Sequence, residues 1–323
     1  HAVHEPEAMF PVHELIRITS LGTGSFGRVH LVKHPKNREV YALKSMPKAM
    51  ICESDATVSR VIEEKRTLAL CNSPFVCKLV AVAHDPQSIH MVLEAVLCGE
   101  LYDVLERQGY LDQDDVLFYA AGVACALEHL HGLRIVYRDL KPSNIMLEAN
   151  GYPKLIDLGF AKQLTDREQK TYTLCGTPEY ASPELIANTG HGLQTDWWSV
   201  GVLIFELLVG SLPFAEAAGE SLSAAILRGL AACPPELSAE AKDVIKRLLT
   251  VSSNARLGSS PRGFDEVMDH AFFEGFDRSA LMARRYEAPF LPTPLDPEQC
   301  KCRPLANEGV LQDEGRLSGS ASP

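Results

Sequence analysis

The hydropathy pattern of this chain turns from mainly strand-like to mainly helical near residue 95, and that change constrains the fold more than any other feature. Before it, apolar and polar residues alternate over residues 15 to 46: Ile16 and Ile18, then Val29 and Leu31, then Val40 and Ala42. Gly22, Gly24 and Gly27 separate the first two runs and Lys33 to Asn37 reads as the next turn, which predicts an antiparallel meander. From about Ala56 to Cys71 the pattern is helical, with Val58, Val61, Ile62, Lys65 and Leu68 at three- and four-residue steps. Strands return from Val76 to Leu93, and the rest is mostly helical. The expectation is an α+β chain, with a small antiparallel sheet carrying one main helix, followed by a larger helical unit.

Within the larger unit, Leu117, Ala120, Ala121, Ala124, Leu127 and Leu130 mark one helix face, with Gly132 as its C-cap. Ile145 to Leu147 and Pro153 to Ile156 read as short strands joined around Asn150-Gly151, a strong hairpin signal. The segment Trp197 to Val209 is apolar on nearly every face, so it should be a buried helix, with Asp196 as N-cap. Further helices are expected near Ala239–Leu249 and Gly263–Phe273. Pro292, Pro294, Pro297 and Pro304 mark an extended tail, and Gly309 to Pro323 reads as disordered.

The net charge of -11 argues against nucleic-acid binding, which needs a basic patch. Nine cysteines are scattered with no repeated Cys-x-x-Cys spacing, so neither a disulfide framework nor a zinc site is expected, and reduced thiols point to the cytoplasm. The longest apolar run, Val200 to Val209, is broken by Glu206 and too short to cross a bilayer. No signal peptide is visible, and the start at His1 rather than methionine reads as a piece of a longer chain.

Three segments carry chemistry. Gly22-Thr-Gly24-Ser25-Phe-Gly27-Arg-Val29 is a glycine loop that lets backbone N–H groups approach phosphate. A Rossmann dinucleotide site would need a helix straight after the glycines; Val29, Leu31 and Val32 predict a strand. Lys44 ends an apolar strand and needs a partner if buried, for which Glu64 in the following helix is available. In Tyr137-Arg138-Asp139-Leu140-Lys141-Pro142-Ser143-Asn144, Asp139 can accept a hydroxyl proton and Lys141 can neutralise a phosphoryl group. Asn144 and Asp157 offer hard oxygen ligands suited to Mg²⁺. Any one of these fits an ordinary turn; jointly, in this order, they fit phosphoryl transfer.

Over about residues 10 to 295 the chain resembles the eukaryotic protein kinases, for which this residue set is the general template. It is most similar to the AGC group and its cyclic-nucleotide-dependent kinases, through Thr171-Tyr-Thr173-Leu-Cys175-Gly-Thr177-Pro-Glu-Tyr180, Asp196-Trp-Trp198 and Glu287-Ala-Pro-Phe290. Met91 to Leu101, Ile226 to Gly229 and Phe273 to Phe276 look more like the cGMP-dependent branch than the cAMP-dependent one. The resemblance implies a bilobal kinase fold, with an extension over 1–14, a small ATP-binding lobe over 15–95, a large catalytic and substrate lobe over 96–276 and an AGC-type tail over 277–323. It implies a serine/threonine kinase using ATP and Mg²⁺ on protein substrates with upstream basic residues, with a cyclic-nucleotide-binding regulatory domain or subunit as partner. A pseudokinase scaffold is the alternative.

The resemblance also implies roles. Lys44, paired with Glu64, would hold the α- and β-phosphates, with Gly22, Gly24, Ser25 and Gly27 over them, and Asn144 and Asp157 would bind Mg²⁺. Leu21, Val29, Ala42 and Met146 would sandwich adenine, with Leu93 as gatekeeper and Glu94 to Val96 as hinge. Leu68, Leu79, Tyr137 and Leu158 would stack between the lobes, and Glu184 would pair with Arg256. Thr177 would contact Asp139 and Lys141, and Glu100 would meet the ribose and a substrate arginine three residues before the phosphosite. Thr173 would be the activation-loop phosphosite, facing Arg138, Lys162 and Arg60. The chain departs from the pattern at Leu158, where phenylalanine is usual, at Ser143 for glutamate, at Ser182 for alanine and at Cys98 for glycine. Its tail lacks the terminal Phe-x-x-Phe type motif and the acidic Phe-Asp-Asp-Tyr type segment.

Overall fold

The computed structural model describes residues 12–24, 27–165, 168–217, 219–230, 232–295 and 303–304. Ser25, most of the 1–14 extension, Cys300, Cys302 and the 309–323 end lie outside the described residues. The meander forms as expected: β1 (Ile16–Gly24), β2 (Gly27–Lys33) and β3 (Val40–Pro47). A single helical turn, α1 (Lys48–Ile51), follows, then α2 (Asp55–Leu70), then β4 (Leu79–His84) and β5 (Ser88–Glu94). α2 starts where Ser54 accepts a bond from the Thr57 amide at 3.1 Å, a cap that contributes roughly 0.5–2 kcal/mol. One face of the sheet packs Met46 and Met91 into the main core with Val61 and Leu68 of α2, and the other buries Leu15, Val32, Leu43, Ala81 and Val92.

The large lobe begins with α3 (Leu101–Gln108) and α4 (Gln113–Gly132). Short strands follow: β6 (Ile135–Val136), the hairpin β7 (Ile145–Leu147) and β8 (Pro153–Leu155), and β9 (Lys162–Gln163), which pairs with β6. Then come α5 (Pro183–Ile186), α6 (Gln194–Val209), α7 (Leu222–Arg228), α8 (Ala239–Leu248), α9 (Phe264–Met268) and α10 (Arg278–Met282). α6 is buried nearly all round, as its composition dictates, and packs against α4 and α8. Each such buried Val or Leu contributes roughly 1.5–3 kcal/mol.

Two local expectations are corrected. Gly132 is the last residue of α4 rather than its cap; the chain turns at Leu133, and the left-handed residue is Arg134, at φ 60°. Asp196 is not an N-cap. α6 starts at Gln194, which puts Asp196 in the first turn, fully buried and aimed away from its own helix. Its carboxylate accepts from the backbone N–H groups of Tyr137 at 3.0 Å and Arg138 at 2.9 Å, and meets His131 Nε2 at 2.8 Å. A buried carboxylate needs such donors, and their consequence is that α6 holds the loop beginning at Tyr137. The sheet also gains a strand that hydropathy did not predict. β10 (Arg303–Pro304) pairs with β1 through Ile16↔Pro304 and Arg17↔Arg303, giving the order β10-β1-β2-β3-β5-β4.

Candidate active site

The candidate site lies where the sheet meets the β6–β8 region. Lys44 projects from β3, which is paired with both β2 (Val29↔Lys44) and β5 (Lys44↔Met91). Its ammonium meets Glu64 Oε1 of α2 at 2.5 Å and Asp157 Oδ1 at 3.7 Å. Burial opposes the charge on Lys44, but Glu64 and Asp157 together hold its pKa above the ordinary lysine value, so it stays an ammonium. Asp157 adopts φ 49°, a left-handed conformation that costs energy for a non-glycine residue. Its Oδ1 accepts from the Gly159 amide at 3.0 Å, and its side chain is 43% exposed, open enough to receive a ligand.

The segment between Val136 and Ile145 is shaped by its own hydrogen bonds. Asp139 is 4% exposed. Its carboxylate accepts from Asn144 Nδ2 at 2.7 Å and from Thr177 Oγ1 at 2.7 Å, with Lys141 Nζ at 3.2 Å. Lys141 also donates to Thr177 Oγ1 at 2.7 Å. Because Asn144 spends its NH₂ on the Asp139 carboxylate and backbone carbonyl, its amide oxygen is the atom left for a ligand. Residues 171–180 can come this close because position 176 is glycine, at φ 90°; a Cβ there would lie 2.4 Å from the Arg138 carbonyl. Gly27 is needed for a comparable reason that spacing alone did not reveal: a Cβ would lie 2.0 Å from the Ser45 carbonyl of β3.

The residues expected around a purine are brought together in part by strand register. Ala42 is the cross-strand partner of Leu93, and Gly22 of Val29. Met146 bridges to Glu100 across the cleft floor. Leu21 is 40% exposed on β1, and Glu94 to Val96 are half-buried. Burial, with Asp103 nearby, raises the pKa of Glu100 against the pull of Lys141. Leu68, Leu79, Tyr137 and Leu158 are all buried in one core cluster, and Tyr137 donates from its hydroxyl to the Ile156 carbonyl at 2.6 Å. Leu158 thus fills an apolar position without an aromatic ring.

Thr173 is exposed. It shares an open cleft with Lys162, whose ammonium donates to Thr171 Oγ1 at 3.3 Å. Arg138 is turned to the Phe160 carbonyl, at 2.6 Å from Nε, and Arg60 lies over the Phe160 ring at 5.8 Å. The Arg138 Nη1 is buried without a hydrogen-bond partner. Cys175 lies in the same region, and burial pushes its thiol pKa up, which favours packing over reactivity. Glu206, which breaks the apolar run of α6, has a role that hydropathy does not show. It accepts a hydrogen bond from the Tyr180 hydroxyl, and burial pushes its pKa up to about 7. Glu184 and Arg256 form the expected bidentate pair, at 2.8 Å for both bonds. Among the described residues no group of three or more His, Cys, Asp or Glu side chains could cage a metal, and no helix is long and apolar enough to cross a membrane. A Mg²⁺ site of one carboxylate and one amide, completed by phosphates and water, needs no such cage.

Comparison with known proteins agrees with this geometry. Residues 15–273 match the family described as Protein kinase domain. The chain is 40% identical over 295 residues to cAMP-dependent protein kinase catalytic subunit PRKX of Homo sapiens, covering 89% of this chain and 81% of the relative. It is 38% identical over 288 residues to cAMP-dependent protein kinase, catalytic subunit-like, of Caenorhabditis elegans, covering 89% and 71%. Against Ribosomal protein S6 kinase alpha-1 of Homo sapiens it is 38% identical over 302 residues, covering 92% of this chain but 40% of that one. The chain belongs to the protein kinase family and is a serine/threonine kinase of the AGC group.

Proposed function

We propose that the chain transfers the γ-phosphate of ATP to serine or threonine in proteins with basic residues upstream of the acceptor. The observation that carries this reading is the connected set Asn144–Asp139–Thr177–Lys141, together with the buried Lys44–Glu64 pair. In this reading Asp139 aligns the acceptor hydroxyl and takes its proton, since its carboxylate is fixed by donors on three residues. Lys141 holds a positive charge where negative charge develops on the phosphoryl oxygens. Lys44 fixes the α- and β-phosphates, while Glu64 keeps its ammonium pointed into the cleft. Asn144 and Asp157 would hold Mg²⁺, which when bound supplies charge neutralisation on the phosphates. Leu21, Val29, Ala42 and Met146 enclose adenine below Leu93, and Gly22, Gly24, Ser25 and Gly27 cover the phosphates. We propose lobe boundaries at 95/96 and 276/277, with cytoplasmic residence, in keeping with the seven free cysteines among the described residues.

Glu100 supports the preference for basic substrates. It is a half-buried carboxylate beside Asp103 at the mouth of the cleft. The test uses a serine peptide with arginine three residues before the acceptor and the same peptide with alanine there. The alanine peptide should show a KM raised about tenfold or more, the size of a lost charged hydrogen bond. Equal KM values would remove Glu100 from the reading.

Control is proposed to work through Thr173 and through a cyclic-nucleotide-binding domain or subunit. A phosphate on Thr173 adds about -1.5 to -2 charges; Lys162, which shares its cleft, supports it as that anion's partner, and Arg138 and Arg60 are proposed to join it. Thr173→Ala should lower peptide turnover about tenfold or more relative to wild type phosphorylated on Thr173, by leaving the activation segment unpinned. Unchanged turnover would end the idea. Two relatives carry cAMP-dependent names, which favours cAMP-type control over the cGMP branch that Ile226 to Gly229 and Phe273 to Phe276 suggest.

A further inference from the structure

From the hinge residue Glu94 runs a line of four alternating charges, the other three of which the catalytic reading does not use. Glu94 ends β5 in the small lobe, and its Oε1 accepts from the Lys78 amide at 3.0 Å and from Lys154 Nζ at 2.7 Å. Lys154 belongs to β8 in the large lobe and is 6% exposed. Its ammonium also meets Glu148 Oε1 at 3.1 Å, and Glu148 Oε2 lies 2.7 Å from Arg284 Nη2, just past α10. The Arg284 guanidinium lies over the rings of Phe75, at 4.5 Å, and Tyr152, at 4.3 Å, and donates to the Pro74 carbonyl at 3.0 Å. A line of charge contacts, hydrogen-bonded at Glu94–Lys154 and carried on by close ion pairs at Lys154–Glu148 and Glu148–Arg284, therefore joins small lobe, large lobe and tail.

A buried ion pair rarely stabilises a fold more than apolar residues of the same volume would, and its attested use is to fix geometry. Here the geometry fixed is the angle between the lobes, because the Glu94–Lys154 contact crosses the hinge and must stretch if the lobes rotate apart. The tail is tied to the same place: Tyr152 donates from its hydroxyl to the Tyr286 carbonyl at 2.9 Å and accepts from the Tyr286 amide at 2.9 Å. We infer that Lys154 and Arg284 are positioning residues: the line Arg284–Glu148–Lys154–Glu94 braces the hinge in its nucleotide-receiving angle and couples the seating of residues 284–286 to ATP affinity. Neither residue touches the proposed reacting groups. The inference rests on the proposed ATP site at Glu94 to Val96.

The test is steady-state kinetics of the full chain with varied ATP. Lys154→Met and Arg284→Met should each raise the KM for ATP about three- to tenfold, because apparent affinity scales with the fraction in the competent angle. Turnover at saturating ATP should stay within about twofold, a split that a general loss of folded enzyme would not give. Lys154→Arg should restore the KM, and the double Met variant should be no worse than either single one, since both break the same line. A folded Lys154→Met with the wild-type KM overturns the brace, as do two single effects that multiply independently. If Lys154→Met does not fold, Arg284→Met in the wild-type and Glu148→Gln backgrounds reads the same coupling. Failure of the ATP reading itself would show differently, as wild-type chain that transfers no phosphate.

Discussion

Asp139→Asn is expected to lower kcat by about 10²–10⁴, the usual worth of a positioned general base, with the KM for ATP and the melting temperature little changed. The asparagine has the same shape: its amide oxygen can keep the bond from Asn144 Nδ2, 2.7 Å away at Oδ2, while its NH₂ takes the Oδ1 place and donates to Thr177 Oγ1 instead of accepting from it. What it lacks is the charge and the ability to take a proton. The loop should therefore stay in place, because its main anchor is the Asp196 carboxylate under the amides of Tyr137 and Arg138. Kinetics of the two proteins on one peptide, with thermal melts beside them, check this. A kcat within a few-fold of wild type would move the base elsewhere.

The second large effect is on stability. Arg256 is 1% exposed, pairs with both oxygens of Glu184, donates to the carbonyls of Gln194 and Thr250, and lies 5.2 Å over the Trp198 ring. Against the cost of burying Glu184, Arg256 holds its carboxyl below the ordinary glutamate pKa, so it is a charged partner at neutral pH. Arg256→Ala leaves that carboxylate buried and unpaired, which costs about 3–5 kcal/mol. For a chain of this size that is roughly a 4–7 °C fall in melting temperature. Adding Glu184→Gln to Arg256→Ala should recover part of the loss, since the stranded charge is then gone. A loss under about 1 kcal/mol, typical of a surface pair, would contradict the burial argument.

The small lobe was legible because its strands alternate and its turns carry glycine, so local pattern and tertiary structure agree there. The Asn150-Gly151 hairpin was legible for the same reason, and it delivers Asp157 to Lys44 as expected. Asp196 was misread because capping rules look one turn along the chain, whereas its partners are Tyr137 and Arg138 in another element. Gly132 was misread because Arg134 takes the left-handed conformation instead. The Glu94–Lys154–Glu148–Arg284 line was invisible for a related reason. No periodicity links a strand end, a hairpin and a tail, and each residue alone reads as a solvated charge. The contacts of Thr177 with Asp139 and Lys141 entered through family resemblance, and the short distances give them a physical basis in Gly176.

The most direct test of the central claim is transfer of γ-labelled phosphate from ATP to a pool of serine and threonine peptides with upstream arginine. Label should appear on serine and threonine, require Mg²⁺, and be lost in folded Asp157→Ala. Nucleotide bound without label on any peptide would contradict it.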